Sequence, residues 1–164
     1  MVMATKLSWM LLASVVAGPF LPWPHAGAQP DDGWTLFTDG KDTSVQYPSA
    51  LFPNEGGNAS PPGSIFTTRD GRARLHIFTV RNERDESPAQ FLNRLFPNDR
   101  RKLNYDRVAA KFFAVSENKG NRILYRRCNF SNRLIHCIDL NYPRREKLAW
   151  DGIVTRISLS LRPR

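Results

Sequence analysis

The chain has 164 residues, 24 Lys and Arg against 15 Asp and Glu, a net charge of +9 and two cysteines. That length suits one domain able to bury a real core once an N-terminal segment is set aside. Two cysteines nine residues apart, with no Cys-x-x-Cys, argue against a cysteine metal site or a redox pair.

Residues 1–28 have the features of an export signal. Lys6 is the only charge before Asp31, Leu7 to Gly18 is apolar, and Ala26-Gly27-Ala28 fits a small-x-small cleavage site. The apolar run, broken by prolines at 19, 22 and 24, is too short for a membrane span. Cleavage after Ala28 would leave a single exported domain over 29–164, with no transmembrane segment, in the periplasm or secreted. Its 23 basic and 15 acidic residues are unevenly spread. Residues 29–80 carry four basic and six acidic side chains, and residues 81–164 carry nineteen and nine. Such a bias favours an anionic envelope component or an acidic protein as partner, and export argues against nucleic acid.

After a polar tail, Trp34 to Phe37 and Thr43 to Tyr47 are expected as short strands joined at Asp39-Gly40. Pro53 to Ser64, rich in Pro, Asn and Gly, is expected as a surface loop. Ser64 to Thr68 and Arg72 to Val80 form a hairpin turned at Asp70-Gly71. In its second strand Ala73, Leu75 and Ile77 point one way and Arg74 and His76 the other, the pattern of a half-buried strand. Ser87-Pro88 starts a helix with Phe91, Leu92, Leu95 and Phe96 on its apolar face. Leu103 to Ala109 and Phe112 to Glu117 follow as strands, and Asn118 to Asn121 turns the chain.

Next comes the hairpin of Arg122 to Phe130 and Leu134 to Leu140. With Asn132 and Arg133 at the tip, paired positions sum to 265. Cys128 then opposes Cys137 in a non-hydrogen-bonded pair, where side chains sit closest and a disulfide can close. Export makes that disulfide expected. The same register opposes Arg126 and Asp139 as an ion pair. Finally, Trp150, Ile153, Val154, Ile157 and Leu161 recur at helical spacing, so a helix over roughly 144–159 should cover the sheet face carrying Ile123, Tyr125, Ile138, Leu140 and Tyr142. The disulfide lies on the other face.

These residues fall in a familiar order. Gly33-Trp34, Ser44-Val45-Gln46-Tyr47-Pro48 with Leu51-Phe52, Phe66, Leu75-His76-Ile77-Phe78 and the Ser-Pro-led helix through Phe91-Leu92 resemble the first half of the PsbP-like fold. Ala114-Val115-Ser116, Ile123-Leu124-Tyr125 and the closing helix to Ser158-Leu159-Ser160 resemble its second half. That fold includes the extrinsic oxygen-evolving subunit of photosystem II and a Ran-binding import factor. The chain also resembles small exported alphaproteobacterial proteins of unknown function. The resemblance implies an α+β fold, an antiparallel sheet flanked by helices as an α/β/α sandwich. It does not carry photosystem docking or Ran binding to any residue of this chain.

Site motifs are scarce. There is no Gly-x-Ser-x-Gly, no His-Glu-x-x-His and no phosphate-cradling loop, so no catalytic residue, metal or cofactor is assigned. Candidate anion-binding residues are Arg100, Arg101 and Lys102 after the first helix, and Arg144, Arg145 and Lys147 opening the last, where the helix dipole disfavours cations. The expected function is a non-catalytic binding or adaptor module with a basic surface. The alternative is a small envelope hydrolase or glycan-modifying enzyme with a site near His76 or His136. A histidine hydrogen-bonded to a carboxylate in a deep pocket would favour the enzyme.

Overall fold

The computed structural model describes residues 33–40, 42–97 and 100–164. The expected export signal, residues 29–32, Lys41, Asn98 and Asp99 lie outside them. The centre is a seven-stranded antiparallel sheet in the order β3-β4-β5-β9-β8-β7-β6. Its strands are β3 (Asn54–Glu55), β4 (Ser64–Thr67), β5 (Arg74–Arg81), β6 (Leu103–Ala109), β7 (Phe112–Lys119), β8 (Arg122–Ser131) and β9 (Leu134–Pro143). β1 (Trp34–Thr38), β2 (Thr43–Pro48) and β10 (Arg162–Pro163) form a second sheet in the order β1-β2-β10.

The expected hairpin register holds across all ten pairs of β8 and β9, with Cys128 opposite Cys137 and Arg126 opposite Asp139. The tip residues Asn132 and Arg133 both have positive φ, 48° and 61°. That is the turn whose twist matches the flanking strands. The Cys128–Cys137 disulfide closes there, with Cα atoms 4.2 Å apart.

Each sheet face has its own core. On one, Leu75, Ile77, Ile123, Ile138, Leu140 and Tyr142 pack against α2 (Lys147–Ser160) and the small sheet. Trp150, Val154 and Ile157 supply the α2 side, and Val45 and Phe37 the small-sheet side. On the other face, Phe78, Phe113, Ile135 and the disulfide pack beneath Phe91 and Leu92 of α1 (Pro88–Leu95). Ser87 caps α1 as expected, and a Gln90 side chain returns the bond to the Ser87 N–H in a capping box.

Four expectations change. β3 pairs with β4 inside the stretch expected as loop, because residues 54 and 55 meet the β4 edge at Thr67 and Phe66. β10 extends the small sheet after α2 ends. β5, expected half-buried, is buried on both faces because it is central and Phe78 lies under α1; even His76 is only 6% exposed. The last helix opens with a 3-10 turn, Arg144–Glu146, before α2. The Arg144 N–H donates to the Asn121 carbonyl at 2.8 Å, holding that turn against the β7–β8 connection.

Candidate functional site

α1 is only eight residues long and leaves part of its sheet face uncovered. Rows of side chains cross that uncovered part from strand to strand. His76, Asp139 and Arg126 form one row, on β5, β9 and β8. Arg74, Asn141, Leu124 and Glu117 form the next, from β5 to β7. These two rows floor a cleft of about 220 Å³, lined also by Phe96 and by Val115 and Leu103, which continue the rows on β7 and β6. A third row carries Arg122 beside Pro143 and leads to a shallow depression at the sheet end, bordered by Arg72, Arg122, Arg144, Arg145 and the β7–β8 turn.

The expected cations fare differently. Arg100 donates to Asp106 Oδ2 at 3.0 Å and to Asn93 Oδ1 at 3.1 Å, so its charge is answered within the fold. Arg101 is exposed beside it in the 3-10 turn Arg100–Lys102. Lys147 donates to Asp151 at 2.7 Å, one helical turn on, which offsets the unfavourable helix-start position. Arg145 is 77% exposed and approaches Glu146 only to 3.6 Å. The Arg144 guanidinium has no hydrogen-bond or ion-pair partner among the described residues.

Tertiary structure brings Arg72 and Arg122 to the same depression, and neither was singled out from the sequence. Arg122 donates to the Arg72 carbonyl at 2.7 Å and to Asn141 Oδ1 at 2.5 Å. Arg72 holds Asp70 at 2.6 Å and also bonds Glu146. The signal that could have found Arg122 was the hairpin register, which places it beside Pro143 and thus next to Arg144. Nothing local ties Arg72 to that end.

Neither histidine meets a carboxylate through a hydrogen bond among the described residues. Asp139, across from His76, is taken by Arg126 in a two-point pair, Nε to Oδ1 at 2.6 Å. Partial burial works against the Arg126 charge, but the Asp139 bond outweighs it and raises the Arg126 pKa. Burial holds the His76 imidazole below its ordinary pKa; Asp139 opposes that shift while Arg74 and Arg126 add to it. His76 Nε2 has no hydrogen-bond partner among the described residues and lies against Gly63. His136 is 1% exposed, with Nδ1 2.7 Å from Thr43 Oγ1. Thr43 Oγ1 in turn meets Thr79 Oγ1 at 2.6 Å, and the Thr79 hydroxyl donates to Asp39 at 2.9 Å. Burial pushes the His136 pKa down against the pull of Asp39 and Asp42. This chain ties β2 to β5 and β9 with every hydroxyl satisfied, and both Thr43 and His136 are closed to solvent. It is a polar seam between the two sheets.

No protein-family model matches the chain, and no curated protein does. Among solved structures it is similar to cyanobacterial PsbP (CyanoP) from Synechocystis sp. PCC 6803, with a TM-score of 0.61 at 10% identity. That likeness covers 90% of this chain and 100% of the other. The fold is therefore PsbP-like, an α+β arrangement of antiparallel sheets and flanking helices, and the likeness carries the fold alone.

Proposed function

We propose that the protein is an exported, non-catalytic binding module of the cell envelope, holding an anionic envelope component or an acidic protein on a basic surface. The observation that carries this reading is the depression where Arg144 and Arg145 meet Arg72 and Arg122. Four arginines border it; Arg72 pairs with Asp70 and Glu146, Arg145 approaches Glu146, Arg122 is held by Asn141 and the Arg72 carbonyl, and the Arg144 side chain has no partner among the described residues. Guanidinium groups suit phosphate and carboxylate because their donors form a planar fork. Export is supported by the leading apolar segment and by the Cys128–Cys137 disulfide, a bond that persists in oxidising compartments. The non-catalytic part is supported by His76 and His136, neither of which is hydrogen-bonded among the described residues to a carboxylate that could orient it as a base.

Co-sedimentation with vesicles, anionic against neutral, tests the reading. Anionic vesicles should bring the protein down at low salt, and binding should fall as the screening length shortens from about 30 Å at 0.01 M to about 8 Å at 0.15 M. The double variant Arg144→Glu/Arg145→Glu should lose that binding. Lys111→Glu/Arg84→Glu, the same charge change away from the depression, should keep it. Equal behaviour of the two doubles, or no binding at low salt, would show that the basic bias is only a solvated surface.

A further inference from the structure

The cleft beside the depression has a different chemistry. Its charges balance: Arg74 and Arg126 against Asp139 and Glu117. Arg126 and Asp139 satisfy each other. Arg74 and Glu117 do not: neither side chain has a hydrogen-bond or ion-pair partner among the described residues. They stand three strands apart in one transverse row, Arg74 on β5 and Glu117 on β7, with Asn141 and Leu124 between them and Leu103 of β6 beyond Glu117. Three strand spacings of about 4.8 Å put their backbones roughly 14 Å apart. Between them the floor is Leu124 beside Asn141, whose side chain is held by Arg122, and Phe96, Leu103 and Val115 add apolar lining. The cleft is thus cationic at one end, apolar in the middle and anionic at the other.

That order selects a ligand. A simple anion would meet Arg74 but face Glu117 nearby, and a simple cation the reverse. A hydrocarbon would desolvate both charges without answering either. A zwitterion with separated charges and an apolar centre answers all three features. Three extended residues span about 10 Å. The cleft volume of about 220 Å³ admits one aliphatic side chain with its backbone and is below the usual range for larger ligands. We propose that this cleft binds a short peptide with free termini, its carboxylate on Arg74, its ammonium on Glu117 and an apolar middle side chain over Leu124. The site is separate from the arginine depression, and the peptide is a ligand, not a substrate.

The test uses the purified full chain and the tripeptide Ala-Leu-Ala, followed by NMR at the Leu124 and Val115 methyls and by calorimetry. The free peptide should shift those methyls. N-acetylation or C-amidation should each weaken binding about tenfold, the loss of one charge-assisted contact. In Glu117→Gln the acetylation penalty should vanish while the amidation penalty stays. In Arg74→Gln the pattern should reverse. Both side chains reach the surface and make no hydrogen bond or ion pair among the described residues, Glu117 acting on Arg126 only through space, so neither variant should change the melting temperature. Methyls that do not move, capped peptides that bind as well as free ones, or penalties that ignore which charge is removed would each overturn the proposal. Arg144→Glu/Arg145→Glu should leave peptide binding intact, so its loss in that variant would also count against a separate site.

Discussion

Gly63 crosses β5 where no side chain fits. A Cβ there would lie 2.3 Å from the Ile77 carbonyl oxygen, 2.7 Å from the Phe78 Cβ and 3.0 Å from His76 Nε2. The first of these is backbone of a central strand and cannot yield without moving the sheet. Gly63→Ala should therefore destabilise by about 1–3 kcal/mol, the cost of overpacking a filled site. Gly152 is the opposite case. It is exposed in the middle of α2, and a methyl group added there would meet nothing within 4 Å, so Gly152→Ala should stabilise by about 1 kcal/mol through helix propensity. Urea midpoints moving in opposite directions check the pair. The weakness at Gly152 was legible in the sequence, because helix propensity is local. The need for glycine at position 63 was not, since Gly63 sits in a Pro- and Gly-rich stretch that reads as loop, and the atoms that crowd it come from another strand.

At the scale of elements, the α2 stripe is graded. Ile157 is fully buried and Val154 nearly so, while Ile153 is only partly buried and Leu148 is 91% exposed. Helical spacing alone treats Ile153 and Ile157 as equals. Ile157→Ala should cost about 2–5 kcal/mol, Ile153→Ala less, and Leu148→Ala almost nothing. Chemical denaturation of the three variants checks that order, and equal losses at Ile153 and Ile157 would contradict the packing described. Tyr142, stacked on Trp150 at 5.2 Å, belongs to the same buried layer, and its hydroxyl pKa is pushed up to about 12, chiefly by burial. The helix, its apolar side and the sheet face it covers were all legible from periodicity. The 3-10 opening was not, because it depends on a backbone bond to Asn121 on a different turn.

Across the whole molecule, the two buried histidines make stability depend on pH. Burial lowers the folded-state pKa of His76 and of His136 below the ordinary 6.5. Between the folded and unfolded values the unfolded chain binds more protons, so stability rises with pH in that interval. The contribution is therefore complete above about 6.5 and is lost as the pH falls below it. The urea midpoint should drop between pH 7.5 and pH 5.5, and His136→Asn should shrink that drop. A midpoint flat across this range would mean that neither histidine is held neutral by the fold.

Features that depend on near neighbours were legible from the chain alone. The β8–β9 register, the disulfide, the Arg126–Asp139 pair and the Ser87 cap each follow from turn chemistry, side-chain alternation or capping within a few residues. The order of strands and helices was also enough to suggest the PsbP-like fold. Only the tertiary structure decided the pairing of β5 with β9 and the return of β10 to β2. Those contacts join segments far apart in the chain, and their register is set by which apolar faces are buried together, not by local preference. That long-range pairing sets Arg74 and Glu117 in one row and brings Arg72 to Arg144. Both candidate sites are therefore products of sheet assembly, and their residues lie on separate strands and turns that no short motif spans.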